Sequence, residues 1–185
     1  MTTSREPVRL ALRKLWSDHV IWTRGYIIAA VAGTPDADAA AGRLLANQED
    51  IGAAVAGFYG KDAGDRLTAL LKEHILIAVD LVAAAKSGDE AAFATHDARW
   101  TRNIETIASF LAGANPNWKE ADVLDLLALH LKLTKDEAVA RITGDWAADV
   151  KAFDDIFTEI MVLADAINDG LEAQFPERFA TPVAV

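Results

Sequence analysis

The stretch RLALRKLWSDHVIWTRGYIIAAVAG, residues 9–33, has the spacing of an amphipathic helix that carries a histidine on its apolar side. Leu12, Leu15 and Trp16 precede His19 at helical intervals, and Tyr26 follows it by two turns. Apolar residues that recur every three or four positions indicate a helix with one buried side. The pattern therefore predicts that His19 points into the interior of the protein.

The same pattern occurs twice more, without a gap, in GDRLTALLKEHILIAVDLVAAAKSG (64–88) and EADVLDLLALHLKLTKDEAVARITG (120–144). His74 and His130 fall in the column of His19, and each block ends in a glycine. The chain has only four histidines, so three in one column argue against a chance alignment. The second halves align less closely, with Asn47, Asn103 and Glu159 at intervals of 56 residues.

Each unit of about 55 residues is interpreted as a helical hairpin, because its two halves each have helical spacing. The sequence predicts an all-α bundle of three related hairpins with six main helices. Breaks are expected near Asn47 and Thr134, where capping residues occur. The repeats cover 9–60, 64–116 and 120–176 of one domain, residues 1–180, and 181–185 form a flexible tail. A short open array of hairpins is the alternative.

Charge and composition restrict the functional classes. The net charge of −10 and the absence of a basic cluster argue against a nucleic-acid partner and against an anionic membrane surface. Arg24 interrupts the apolar run of the first helix, so no membrane span is expected there. The chain lacks cysteine, which excludes disulfides and thiolate ligands. These features favour a soluble, cytoplasmic bacterial protein.

The repeated histidines suggest a metal site if the hairpins surround one axis. Three neutral imidazoles are a common ligand set for divalent zinc, iron or copper. The candidate ligands are His19, His74 and His130, with Glu159 as a fourth, because it stands where the other repeats have asparagine. A shared site requires imidazoles within about 4 Å of one another. Neither HExxH nor a Glu-x-x-His pair is present, which weakens the case for a metal.

Several further residues are candidates for the surroundings of this site. Asp18 and Glu73 are possible outer hydrogen-bond acceptors for an imidazole of a neighbouring helix. Arg24, on an apolar helix, needs a carboxylate, and an ion pair is favoured over a ligand clamp. Asn47 and Asn103 are possible hydrogen-bond partners of the histidines in their own hairpins.

Three other functions remain open at this point. The histidines can be core hydrogen-bonding residues of a structural or interaction protein, which would face three separate hairpin interfaces. They can also line a cavity for a small molecule. An enzyme is the third possibility, with His19 or His74 and Glu73 in acid–base work, although the sequence identifies no substrate.

The segments LWSDHVIWTR, KEHILIAVDLVAAAKSGD, IASFLAGANPNW and LHLKLTKDEAVAR resemble a family of small all-helical proteins from soil and spore-forming bacteria. The resemblance extends from about Leu15 to Phe175, with His19, His74, His130, Asn47 and Asn103 at matching positions. No activity is established for that family. The resemblance therefore implies a helical layout and no particular chemistry.

Overall fold

A computed structural model describes residues 5–179, which form seven helices and no strands, and the predicted all-α fold is confirmed. The helices are α1 (Arg5–Ala32), α2 (Ala37–Tyr59), α3 (Lys61–Ser87), α4 (Glu90–Ala114), α5 (Glu120–Thr143), α6 (Trp146–Gln174) and the short α7 (Pro176–Phe179). None of these helices is long and apolar enough to cross a membrane. The predicted flexible tail, 181–185, lies outside the described residues.

The six long helices form a closed ring of three antiparallel hairpins. Each helix packs against the next one along the chain, and α6 packs back against α1. The first helix of each hairpin lies on the inside, because α1, α3 and α5 also contact one another. The hairpins therefore surround a common axis, and the alternative of an open array is wrong.

A glycine in the left-handed conformation ends the first helix of each hairpin. The φ angles of Gly33, Gly88 and Gly144 are 71°, 72° and 74°, a region that favours glycine because it has no Cβ. After two of these glycines, Asp89 and Asp145 accept a hydrogen bond from the backbone N–H three residues later. Such a Gly-Asp pair ends one helix and caps the next within two residues, which makes the helices antiparallel.

The predicted breaks near Asn47 and Thr134 are wrong, because α2 and α5 are continuous through both positions. Asn47 is fully buried, and its Nδ2 donates to the backbone oxygen of Leu15 on α1 at 3.0 Å. The Thr134 hydroxyl donates to the backbone oxygen of His130 one turn earlier, at 2.9 Å. Both side chains thus bond from within a helix, and neither caps the start of one.

Two glycines allow α2 and α3 to approach closely. A Cβ added to Gly52 would lie 1.8 Å from the Thr68 hydroxyl and 2.8 Å from the backbone oxygen of Gly64. A Cβ on Gly64 would lie 2.6 Å from the backbone oxygen of Gly52. Because the obstructing atoms include backbone of the facing helix, rotation of a side chain cannot relieve the clash.

We expect Gly52→Ala to destabilise the protein, although alanine favours helices. The clash with α3 should lower the free energy of unfolding by about 1–3 kcal/mol, as overpacking of a core typically does. Gly57→Ala is the matched control on the same helix, since nothing lies within 4 Å of its added Cβ. The control should be neutral or raise stability by up to about 1 kcal/mol. Urea denaturation of both variants measures the difference, and equal stability would contradict the prediction.

Candidate functional site

The three repeated histidines meet at the centre of the bundle, in a group that we call the imidazole layer (His19, His74 and His130). The ring centroids of His19 and His130 are 5.5 Å apart, and those of His74 and His130 are 6.2 Å apart. All three side chains are buried. The inner helices of the hairpins therefore bring residues 55 and 56 positions apart into one group.

The layer is looser than a metal-bound cluster. Three imidazoles on one tetrahedral ion, with metal–nitrogen bonds of about 2.0–2.1 Å, have ring centroids about 5 Å apart. The observed separations are larger, and residues 7–179 contain no group of three or more His, Cys, Asp or Glu side chains placed to hold a metal ion. The layer thus lies between the two arrangements expected from the sequence. The histidines share one site, but they are not drawn together within 4 Å.

Each imidazole uses its Nδ1 atom to contact a polar side chain on the second helix of its own hairpin. The distances are 3.2 Å from His19 to Gln48, 2.9 Å from His74 to Asn103, and 3.1 Å from His130 to Glu159. The partner follows the histidine by 29 residues in every case. The same contact therefore links the two helices of each hairpin at the same height.

Gln48, and not Asn47, is the partner of His19. In the first hairpin two neighbouring residues share the work, because Asn47 donates to the Leu15 oxygen while Gln48 contacts the imidazole. In the second hairpin Asn103 does both, since its Nδ2 also donates to the Leu70 oxygen at 3.1 Å. Extending the 55-residue interval between His19 and His74 would have aligned Gln48 with Asn103. The chosen interval of 56 aligned Asn47 instead.

The hydrogen-bond network assigns the proton positions of the neutral rings. Asn103 Oδ1 and Glu159 Oε2 are acceptors, so His74 and His130 carry their proton on Nδ1 and have a lone pair on Nε2. The amide nitrogen of Gln48 faces His19 and donates to the Leu44 oxygen at 2.8 Å. Nδ1 of His19 is therefore an acceptor, and its proton is on Nε2. Nε2 makes no hydrogen bond in any of the three rings.

Burial keeps at least two of the imidazoles uncharged. Desolvation, reinforced by nearby His130, lowers the pKa of His74 to about 3. Desolvation together with His130 and His74 also lowers the pKa of His19 well below its usual value. Neutral imidazoles retain the lone pair that a metal ligand needs, so protons do not compete for these two rings near pH 7.

Glu159 leaves the layer short of positive charge. It is 5% exposed, one carboxyl oxygen contacts His130, and the other, Oε1, is buried without a partner. Within the described part of the chain, no lysine or arginine forms an ion pair with it. A buried carboxylate without a cation is costly. The layer therefore accommodates a positive charge more readily than an ordinary apolar core does.

Two small cavities flank the imidazole layer along the bundle axis. They offer about 20 and 30 Å³ in which the centre of a water molecule can lie. Each has room for one or a few water-sized atoms. An ion fits this space, whereas an organic ligand of ordinary size requires the core to open.

The predicted ion pair of Arg24 is present, with partners that the sequence analysis did not name. Its guanidinium contacts Glu137 at 2.6 Å and Asp149 at 2.8 Å, and Arg141 contacts Asp149 at 3.3 Å. Burial raises the pKa of Glu137 to about 7, although Arg24 opposes this shift. Glu137 belongs to the Thr-Lys-Asp-Glu segment that suggested a helix cap, and helical spacing from His130 was the signal for its inward position.

Asp18 and Glu73 do not bond to any imidazole. Asp18 forms ion pairs with Lys14 at 2.6 Å and Arg43 at 3.8 Å. Glu73 is exposed and lines a surface depression with two arginines of α4, Arg99 and Arg102. The acid–base combination of a histidine with Glu73 is therefore not assembled in this structure.

Replacing His74 by glutamine should weaken the dependence of stability on pH. The pKa of His74 is about 3 in the folded state and near 6.5 for ordinary histidine, so only the unfolded chain takes up this proton between those values. The free energy of unfolding therefore falls as the pH drops from 6.5 toward 3, by about 1.4 kcal/mol per pH unit for this group.

Urea denaturation at several pH values tests this, and the His74→Gln variant should lose stability less steeply on acidification than the unmodified protein. Glu137 acts in the opposite direction, because its raised pKa lets the folded state bind a proton first. Comparing the variant with the parent removes this contribution. Parallel curves for the two proteins would show that His74 is protonated equally in both states.

Comparison with known proteins leaves the chain without a close relative. It matches no protein-family model, no curated protein and no solved structure. The functional argument therefore rests on the imidazole layer and its surroundings.

Proposed function

We propose that the protein binds a divalent transition-metal ion at the imidazole layer, through the Nε2 atoms of His19, His74 and His130. The observation that supports it most directly is the combination of three converging buried imidazoles with a buried carboxylate, Glu159, that has no lysine or arginine partner. A divalent cation supplies the missing positive charge. It also occupies space that is too small for most other ligands.

The partners on the Nδ1 side support this proposal. Histidines that bind metals commonly donate their other ring N–H to a carboxylate or carbonyl oxygen, which fixes the ring and makes it a better ligand. Glu159 serves His130 in this way, and Asn103 serves His74. Glu159 thus acts behind His130, on the side away from Nε2, and the fourth coordination position is left for water or another small ligand.

Binding requires a small rearrangement around His19. The rings have to move closer, by up to about 1 Å between centroids, to reach metal–nitrogen bonds of about 2.0–2.1 Å. The proton of His19 has to move from Nε2 to Nδ1. Rotation of the Gln48 amide by half a turn allows this, because Oε1 of Gln48 is buried without a partner and can accept that proton. The rotation gives up the Gln48 bond to the Leu44 oxygen.

The ligand set favours zinc, iron or copper over magnesium or calcium. Imidazole nitrogens suit the later first-row transition metals, whereas magnesium and calcium prefer oxygen ligands. The chain has no cysteine to attract softer ions. An open fourth position is typical of sites that act on a bound small molecule.

A structural role is the second candidate, and one observation favours it. Every histidine of the layer already has a contact within its own hairpin, which is what a core hydrogen-bonding residue needs. In this alternative the layer aligns the helices and holds no ion. Replacing Asn103 by alanine should then lower stability about as much as replacing His74.

Elemental analysis and cobalt titration distinguish the two candidates. Untagged protein, purified without a nickel column, should contain about one transition metal per chain, or bind Co²⁺ with the visible absorption of a tetrahedral site. His74→Gln should weaken Co²⁺ binding by at least about 100-fold, and Glu159→Gln by roughly 10–100-fold. His96→Gln is the matched control, because His96 lies outside the layer, and it should bind as the parent does.

The metal proposal fails if no sample contains metal and added zinc, iron, copper and cobalt all leave the protein unchanged. It also fails if cobalt binds equally well to the parent and to His74→Gln. In either case the structural role remains, and the stability of Asn103→Ala then tests it.

A further inference from the structure

The imidazole layer has small residues on one side and large ones on the other. Toward the hairpin turns, the residues one turn beyond the histidines are Thr23, Ala78 and Thr134. In the opposite direction, the residues three positions before them are Trp16, Leu71 and Leu127. Side chains one turn apart on a helix lie above one another. The inner helices therefore leave space on the turn side of the layer.

This space is an interior cavity that we call the axial chamber. All three imidazoles line it together with Thr23, Ala78 and Thr134. One turn farther toward the hairpin turns, the chamber is bordered by Ile27, Val82 and Ala138, each eight residues after a histidine. It offers about 20 Å³ to the centre of a water molecule, which is enough for a molecule of about two heavy atoms.

The walls of the chamber suit an uncharged, apolar occupant. The hydroxyl groups of Thr23 and Thr134 donate to the backbone oxygens of His19 and His130, at 2.8 and 2.9 Å. The remaining wall is almost entirely hydrocarbon. An apolar cavity of this kind does not hold water well but takes up small apolar molecules. The unbonded Nε2 atoms are the polar groups that such a molecule meets.

The chamber lies close to the protein surface. A depression between α1 and α3, at the hairpin-turn end, is lined by Tyr26, Ala30, Val82, Ala83, Lys86 and Ser87. It shares Tyr26 and Val82 with the chamber, so these two side chains separate the chamber from solvent. The cavity on the other side of the layer shares no lining residue with this depression.

We infer that the axial chamber binds an uncharged diatomic molecule such as dioxygen, which enters between Tyr26 and Val82 and rests beside the imidazole nitrogens. The inference goes beyond the proposed metal site and does not depend on it, because the chamber is present without an ion. If a metal is bound, its open coordination position adjoins the same chamber.

Dissolved dioxygen itself serves as the probe, in metal-free protein treated with a chelator. Dioxygen is paramagnetic, so it speeds the NMR relaxation of methyl groups next to which it resides. We expect severalfold faster relaxation at the methyls of Ala78 and Val82 than at Ile160, which is fully buried and lines neither cavity. Loss of metal binding in the cobalt experiment would not alter this readout.

Ala138→Leu should reduce the dioxygen effect at Ala78 severalfold, because the larger side chain fills the chamber. Val139→Leu is the matched control, since Val139 is the neighbouring residue and is exposed; it should keep the full effect. If Ala138→Leu does not fold, Ala78→Val, read at Val82, replaces it with a smaller change in volume.

Two results would overturn the inference. One is relaxation at Ala78 and Val82 no faster than at Ile160, which would mean that dioxygen does not occupy the chamber. The other is an equal or larger effect at Leu67 and Ile107, which line only the opposite cavity.

Discussion

The contact between each buried imidazole and its partner 29 residues later is the constraint on which the bundle depends. A buried polar ring that loses its hydrogen bond costs stability, so the two helices of a hairpin cannot slide past each other without separating His74 from Asn103, or His130 from Glu159. Apolar packing alone tolerates such shifts far better, because hydrophobic contacts are not directional. The three contacts together place the rings of all hairpins at one level along the axis.

Two groups of buried charge solve the problem of burial differently. Arg24, Arg141, Glu137 and Asp149 form a cluster with as many positive as negative groups, and this cluster ties α1 to α5 and α6. The imidazole layer contains a carboxylate and no permanent cation. The first arrangement is complete in the protein alone. The second is complete only when a proton or an ion is added, which is why we place function in the layer.

The sequence was sufficient for the fold and for the identity of the central residues. Helical spacing and the column of histidines predicted the hairpins, because inward-facing positions follow directly from a period of 3.6 residues. The breaks at Asn47 and Thr134 were wrong, since a polar side chain that bonds to another backbone group looks like a cap in the sequence. Gln48 was missed for a related reason. The side chain one residue away from Asn47 points in another direction, and only three-dimensional packing shows which of the two meets the ring.

The ion pairs at the α1–α6 interface have a consequence for the order of folding. Arg9 and Arg13 bond to Asp165, so this interface joins parts of the chain more than 150 residues apart. Every other neighbouring pair of helices is adjacent along the chain and closes only a short loop. Because long loops cost more entropy to close, the hairpins can form first and the ring closes last. The interior polar groups then lose contact with water at the final step of assembly, when the first helix meets the last.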